Sequence, residues 1–407
     1  MLRVNIMERV IVKTFDWNNE QLLRLIQNFQ EKSLKDGLEK GKTFSDEEID
    51  FLRRLYPESD LVLGAYYEDN LLAVLGAAPC KVKFNEDLLN AAGIGSWALD
   101  PVVLSELTEG ESDRDPKIFE KNQLETFQTM LTEIIERVKT YNIDFLYAEA
   151  VPFESKALVE FLQTTWIVLN KNVENMLKIM GREAINFIKD KIGLNVLEAQ
   201  AAKLVAGMMQ DRIESGELRE ASEEDFPKIV AILNNYSKIR ELARIWTLEE
   251  FQNYLIKFEG LKQKDHKSKT EFPEAPFGSG TTVWEDAEDI KAAVVYEINE
   301  LYFKTGYLPV LWIHQIGFSD DIINQDPKEV KKAKNAFIGS FLAPFHLKVY
   351  ICYAPLPYYD EKIFDGFIGE RRTTPLLVKT LTDRANGLAQ LKKLKQFYLP
   401  AVEFKIH

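Results

Sequence analysis

Residues Glu149 to Lys171 read "EAVPFESKALVEFLQTTWIVLNK". An apolar run ends in a Pro-containing loop, apolar residues then recur at helical spacing, and a second apolar run starts at Trp166. The pattern is strand, loop, short helix, strand. A weaker copy lies at Tyr353 to Ile368, "YAPLPYYDEKIFDGFI", with Lys362 in the place of Lys156, an offset of 206 (362 − 156). The repetition raises the question of whether the whole 407-residue chain is built twice from one unit.

Working outward from the first copy, Val10 to Thr14 reads as a strand, and Leu22, Leu23, Leu25, Ile26 and Phe29 mark an amphipathic helix. In "TFSDEEIDFLRRLYP" Ser45 precedes Glu48 by three positions, the capping-box pattern that opens a helix. "LVLGAYY" and "NLLAVLGAAPCKVKF" form a hairpin around the polar Glu68-Asp69-Asn70. "AGIGSWAL" is a further strand that stops at Asp100-Pro101, and an acidic loop spans Ser105 to Asp115. Leu124, Phe127, Leu131, Ile134, Ile135 and Val138 then define a long helix before the strand "IDFLYAEA".

The same order returns from Glu217. "ELREASEEDFPKIVAILNNYSK" repeats the first strand and helix, with Leu218 in the place of Val12, an offset of 206 (218 − 12). Thr247 and Glu250 repeat the capping box at an offset of 202 (247 − 45). "TTVWEDAEDIKAAVVYEI" repeats the hairpin around Glu288-Asp289, "PVLWIHQIGFSDD" replaces the central strand, and "KKAKNAFIGSFL" replaces the long helix. A nearly constant offset over so many elements reads as an internal duplication of a β-α-α-β-β-β-α-β-α-β unit. We therefore expect a first domain over 8–180, a connecting helix over 181–216 and a second domain over 217–407. The connector is rich in Ala, Leu and Met and lacks Pro and Ser clusters, which suits a packed helix rather than a loose linker. The stretch Glu259 to Gly280 reads as a loop inserted in the second copy, and "FYLPAVEFKIH" as a last strand.

Composition narrows the function classes. With 46% hydrophobic and 28% charged residues the chain is globular in type. A net charge of −13 argues against a nucleic-acid partner, because phosphate contacts need clustered Lys and Arg. Cys80 and Cys352 sit in apolar runs and read as buried thiols of a reduced compartment. The four His residues are scattered, so no metal-ligand spacing exists and no metal is expected. The N-terminus is too charged for a secretory core, and no run approaches the ~18 apolar residues of a membrane span. A cytoplasmic protein with no membrane partner is expected.

The order of elements, and above all "NIDFLYAEAVPFESKALVEFLQTTWIVLNKNVENMLKIM", resembles the C-terminal part of the GCN5-related N-acetyltransferase (GNAT) fold. "IGSWALDP" is similar to that family's central strand. The resemblance spans roughly 8–180 and 217–382 and implies an α/β (α+β) fold of two GNAT-like domains, each a mixed, mostly antiparallel sheet flanked by helices. It also implies acetyl-CoA or a longer acyl-CoA as co-substrate and a small or peptidyl amine as acceptor. In such folds the central strand splays from its neighbour and its backbone binds the pantetheine arm. A Gly-rich loop before a helix binds the pyrophosphate, a carboxylate or His takes the amine proton, and a Tyr protonates the leaving thiolate. Trp97, Ala98 and Leu99 are then the cofactor-binding backbone, with the helix start near Asn122 as the anion contact.

Two departures from the family pattern stand out. The loop after Pro101 is acidic and has no paired glycines, and the position of the family's Tyr holds Phe161 in the first copy and falls near Phe367 in the second. His314 on the second central strand is the candidate base, with Asp321 as a second candidate. Tyr358 and Tyr359 substitute for the missing acid. Asp100, Glu149, Asp320 and Tyr353 stand at strand ends, where they would meet a cationic amine. Gly93 and Gly95 precede strand rather than helix residues, so they read as a strand start or bulge instead of a phosphate loop. The chain is thus expected to be an acyl-CoA-dependent N-acyltransferase. The alternative is a non-catalytic GNAT-derived protein that binds a ligand or partner.

Overall fold

The computed structural model describes residues 10–16, 59–100, 103–104, 107, 116–149, 156–173, 176–180, 211–238, 240–252, 278–303, 306–345, 351–354, 368–369, 374–390 and 397–398. The first amphipathic helix, the Ser45 capping box, most of the connector and Tyr358 and Tyr359 lie outside these residues.

In the first copy the strands are β1 (Val10–Thr14), β2 (Val62–Tyr67), β3 (Asn70–Phe84) and β4 (Asp87–Leu99). They are followed by helix α1 (Pro116–Val138), β5 (Phe145–Glu149), helix α2 (Lys156–Thr165), β6 (Ile167–Val173) and β7 (Met176–Ile179). The second copy has β8 (Glu217–Glu220), helix α3 (Phe226–Lys238), β9 (Leu242–Ile245), β10 (Gly278–Asp286), β11 (Asp289–Phe303) and β12 (Gly306–Phe318). It continues with helix α4 (Pro327–Leu342), β13 (Ile351–Ala354), β14 (Ile368–Gly369), β15 (Thr374–Thr380) and β16 (Phe397–Tyr398).

The long hairpins match residue for residue. β3 and β11 both have 15 residues, and β4 and β12 both have 13, at a constant offset of 219 (289 − 70; 306 − 87). The flanking strands keep the offset of 206, since Val12 pairs with Ala65 where Leu218 pairs with Trp284. The difference of 13 enters in the segment of sequence before β10. It is removed again between β12 and β13, where the second copy has the shorter connection. Even single backbone bonds recur. Phe15 N–H donates to Val62 O and Ala221 N–H to Thr281 O, both at 2.8 Å. Asp100 N–H donates to Leu72 O at 2.7 Å, and Ser319 N–H to Lys291 O at 2.8 Å.

Both hairpin turns are two residues long with positive φ at each, Glu68 (47°) with Asp69 (66°) and Ala287 (50°) with Glu288 (67°). These are type I′ turns, whose twist matches that of the strands. The second copy's capping box forms as its spacing predicts: Glu250 N–H donates to Thr247 Oγ1 at 3.2 Å, and Thr247 N–H to Glu250 Oε2 at 3.0 Å. Boundaries differ from the sequence reading in places. α1 begins at Pro116 rather than near Asn122, and the second hairpin turns on Ala287-Glu288 rather than Glu288-Asp289. β4 begins at Asp87, because Asn85 takes a positive φ of 53° and closes a second hairpin that the polar "NED" concealed.

The sheets exchange strands. The first is ordered β1-β2-β3-β4-β5-β15-β6, with β9 beside β3 and β16 beside β9; the second is β14-β7-β13-β12-β11-β10-β8. Thus β15, late in the chain, lies between β5 and β6, and β7, early in the chain, lies beside β13. Buried Asp144 holds the arriving segment. Its carboxylate accepts from Thr382 Oγ1 (2.7 Å), Arg384 Nη1 (3.1 Å) and Asn90 N–H (2.9 Å).

The cores follow the same weave. On one face of the first sheet, Phe127, Met130 and Ile134 of α1 and Leu158 and Leu162 of α2 pack against Leu63, Ala65, Leu75 and Leu146. On the other face Cys80, Val82, Phe145 and Tyr147 meet Leu242, Leu376, Val378 and Leu388. The second sheet is covered by Phe337, Ile338 and Phe341 of α4 on one side. Ile229, Ile232 and Leu233 of α3, at helical spacing, cover the other.

Candidate functional site

The chemistry-bearing geometry sits where two parallel strands part. Among the described residues β4 and β5 pair at Ala91↔Phe145, Ala92↔Leu146 and Gly93↔Tyr147, and β4 then runs on to Leu99 paired with β3 but not with β5. Among the described residues β12 and β13 pair at Val310↔Ile351, Leu311↔Cys352 and Trp312↔Tyr353, and β12 runs on to Phe318. These are the same three positions in each copy (310 − 91 = 219; 351 − 145 = 206).

A bulge follows each split. In β4, Ser96 and Trp97 stand against Leu75, because the register moves from Val74↔Ala98 to Gly76↔Gly95. In β12 the register moves from Val295↔Gln315 to Tyr296↔Ile313, which sets His314 aside as the extra residue. A bulge increases local twist and bends the strand, so each central strand turns away from its parallel neighbour and leaves a cleft edged by backbone amides. The phase of the strand changes accordingly. Leu311 and Ile313 face the α4 core before the bulge, and Ile316 and Phe318 face it after.

His314 is half-buried at this bulge. Trp97 lies in the bulge of β4 and Ala98 and Leu99 follow it, as a backbone role for a ligand arm would require, and Leu99 closes onto the first core. Gly95 also falls at the bulge. Asp100 is buried at the strand end, where its carboxylate accepts from Val103 N–H at 3.3 Å. Glu149 ends β5 and pairs with Leu376 of β15, and Tyr353 occupies the last paired position of β13. Asp320 and Asp321 are exposed in the helical turn Asp320–Ile323; Asp320 accepts from Asn235 Nδ2 (3.1 Å) and Asp321 from Lys291 Nζ (2.8 Å). The structure thus gathers His314 and Tyr353 about the second split and sets the two Asp residues beyond the end of β12.

Asn122 lies in α1, only 3% exposed, and its Nδ2 has no hydrogen-bond partner among the described residues. Gln315, next to His314, is 1% exposed and its Oε1 likewise has none. Sequence reasoning passed over Gln315 and Tyr147. Tyr147 is the first-copy equivalent of Tyr353 (353 − 147 = 206), and its hydroxyl lies 3.8 Å from the Cys80 thiol. The signal for Tyr147 was present in the repeated "YAEA" and "YAPL". For Gln315 it was a second polar residue inside the apolar "LWIHQIGF".

The thiols are not nucleophiles. Burial raises the Cys80 pKa, against the opposing influence of Arg244 and the bond to Tyr147. Burial pushes Cys352 well above the ordinary thiol range, with Lys178 opposing. Both stay protonated at neutral pH. Among the described residues no group of His, Cys, Asp and Glu is placed to hold a metal ion, and no helix is long and apolar enough to cross a membrane.

No known protein family's sequence profile matches the chain, and no curated protein matches it in sequence. Its structure is similar to solved ones. N-myristoyltransferase of Saccharomyces cerevisiae with bound myristoyl-CoA superposes with a TM-score of 0.59 at 14% identity, over 91% of this chain and 79% of that one. A GCN5-related N-acetyltransferase of Anabaena variabilis gives 0.51 at 10% identity, over 92% and 73%. An Enterococcus faecalis protein described as a probable N-acyltransferase gives 0.50 at 11%, over 91% and 72%. At such identities the likeness is one of fold: the chain has the α/β fold of the GNAT-type N-acyltransferases, and it covers most of the N-myristoyltransferase chain.

Proposed function

We propose that this protein is an acyl-CoA-dependent N-acyltransferase acting on a small or peptidyl amine in the cytoplasm. The observation that carries the reading is the pair of clefts, in which a bulge frees the backbone of a central strand from its parallel neighbour. Unpaired strand amides suit an extended, amide-bearing arm. The structural likeness to an N-myristoyltransferase holding myristoyl-CoA supports acyl-CoA as donor and extends the range from acetyl to long chains.

In this reading the first copy takes the acyl-CoA along Trp97, Ala98 and Leu99. Asn122 supports that choice, since its unpartnered Nδ2 is a donor and an acyl-CoA presents carbonyl and phosphate acceptors. The second copy shapes the acceptor pocket. The amine nitrogen attacks the thioester carbonyl, and the C–S bond breaks as the C–N bond forms. His314 takes the amine proton, with Asp321 as the second candidate, and Tyr358 or Tyr359 protonates the departing thiolate. Asp100, Glu149, Asp320 and Tyr353 supply polar groups for a cationic acceptor.

The second reading, a non-catalytic ligand- or partner-binding protein, draws on the acidic loop after Pro101 and on Phe161, which packs against the first core and has no proton to give. One experiment tests the first reading: thermal unfolding with acetyl-CoA and with myristoyl-CoA. A ligand at 100 times its Kd adds about 2.7 kcal/mol to stability. An unmoved transition with every acyl-CoA defeats the proposal, and a shift without acylation of any amine favours the second reading.

A further inference from the structure

We propose that Gln315 is a specificity-determining residue of the second cleft, placed to accept a hydrogen bond from an N–H of the acyl acceptor. This rests on the N-acyltransferase reading and adds to it the chemical class of group that the second copy reads. Gln315 belongs to the bulge itself. It pairs with Val295 and follows His314, the residue that the register shift sets aside. In a bulge the two residues stand against one partner on the neighbouring strand, so Gln315 and His314 are presented together beyond the last parallel pair, Trp312↔Tyr353.

The neighbours along the strand are Trp312, Ile313, Ile316 and Phe318, all buried. Gly317, two residues on, is pressed against α3, for a Cβ there would lie 2.8 Å from Leu233. In this apolar strand Gln315 is 1% exposed, with its Oε1 unpartnered among the described residues. A leucine would fill the same space with no polar atom to satisfy. A buried carbonyl left unpaired is a standing cost to the fold, and such costs concentrate where a ligand completes the bonding.

The sign of the group selects the ligand. In the orientation found, the buried unpartnered atom is the amide oxygen, which accepts and cannot donate, so it disfavours phosphate, carboxylate and thioester oxygens and suits N–H. A neutral primary amine has two N–H bonds besides the lone pair that attacks. His314 takes one proton, and Gln315 holds the other and aims the lone pair. A secondary, N-methylated amine lacks that second N–H once the base is engaged. The first copy has Ser96 in this place (315 − 219), a shorter side chain, in keeping with a different ligand there.

The test compares the full-length protein with Gln315→Leu. The probes are spermidine and a tetra-alanine peptide with a free N-terminus, each beside its N-methylated form, with acetyl-CoA and myristoyl-CoA as donors. The acceptor KM is expected to rise at least ~10-fold, as for a site that loses one specific hydrogen bond, with the acyl-CoA KM unchanged. The preference for primary over N-methylated amine should shrink by a similar factor. Without any ligand, Gln315→Leu should melt at the same temperature or about 1–3 °C higher, because an unpaired buried acceptor has been removed. A transition lowered by several degrees with an unchanged acceptor KM overturns the proposal and makes Gln315 a structural residue. A rise in acyl-CoA KM instead of acceptor KM overturns it too, in favour of a pantetheine contact. If the wild type acylates none of the probes, the proposed function fails for them. Melting then decides for Gln315 alone: a gain supports an unsatisfied ligand group and a loss overturns it.

Discussion

In the first copy the residue set aside by the bulge between β2 and β3 is Leu72, buried in one core with Val103, Leu104 and Leu107. In the second copy the equivalent bulge holds Lys291 (291 − 219 = 72), whose ammonium reaches Asp321 at 2.8 Å. That bond, ahead of the charges of Asp289 and Asp286, raises the Lys291 pKa. Arg219 of β8 joins Asp225 and Glu285, where the first copy has Lys13 stacked 4.3 Å over Tyr66 (219 − 13 = 206; 285 − 66 = 219). The position of His314, set aside in the second central strand, is held in the first by Gly95 (314 − 219), which stays paired with Gly76 while the bulge falls on Ser96 and Trp97. The backbone bonds agree between the copies while the side chains they present do not. A bulge is held by the hydrogen-bond ladder, so the residue it displaces is free to vary, and the copies have diverged there.

The sharpest way to break this comparison is His314→Gly, which gives the second central strand the residue that the first has at the same position. The fold should tolerate it, and turnover should fall by about 10²- to 10⁴-fold with acyl-CoA affinity kept, as loss of a general base requires. Steady-state kinetics beside acyl-CoA binding would show it, and undiminished turnover would remove His314 from the chemistry.

The next effect concerns what the copies share. Asp144→Ala strands Thr382 and the Asn90 amide and loosens Arg384, which should cost about 3 kcal/mol. Urea unfolding should show one transition at lower urea; two separated transitions would mean that the copies fold independently despite the exchanged strands.

The third contrast is electrostatic. Arg219 holds the Asp225 carboxyl far below the usual carboxylate range. A depressed carboxylate contributes stability that is present above its unfolded pKa of about 3.9 and is lost as pH falls through the folded value. Asp225→Asn should therefore cost about 2 kcal/mol at pH 7, and this gap should shrink as pH falls below about 4. Lys13→Ala in the first copy should cost under about 1 kcal/mol with no such acid dependence. Melting curves across pH 3 to 7 would test both, and parallel pH profiles would refute the contrast.

The smallest effect should be equal in the two copies. Replacing Glu68-Asp69 or Ala287-Glu288 by Asn-Gly relieves side chains held at positive φ, and each pair should add about 0.5–1 kcal/mol. A gain at one turn only would show that the hairpins differ in strain despite their matching backbone.

What the sequence disclosed was local. The span of β3 from Asn70 to Phe84, the polar hairpin turns, the capping box at Thr247 and Glu250 and the 206-residue offset between β1 and β8 are each written in neighbouring residues. The insertion of β15 between β5 and β6 and the crossing of β7 to β13 are not, because an apolar run states that it pairs without stating with what. "LARI" was too short to distinguish as a strand until its pairing with β3 was seen. At the site, His314 was legible as a polar residue on a central strand, whereas Gln315 acquires meaning only from a burial and an unmet bond that no spacing reveals.

The exchanged strand also sets a schedule for synthesis. β5 and β6 are finished at Val173, but the strand that joins them begins at Thr374. At roughly 5–20 residues per second, the nascent first sheet waits on the order of 10–40 seconds with a gap the width of one strand. Unfilled strand edges are templates for pairing with other chains, so newly made protein is most exposed to wrong partners in that interval. Whether the first sheet closes is thus decided only once the residues from Thr374 onward have been made.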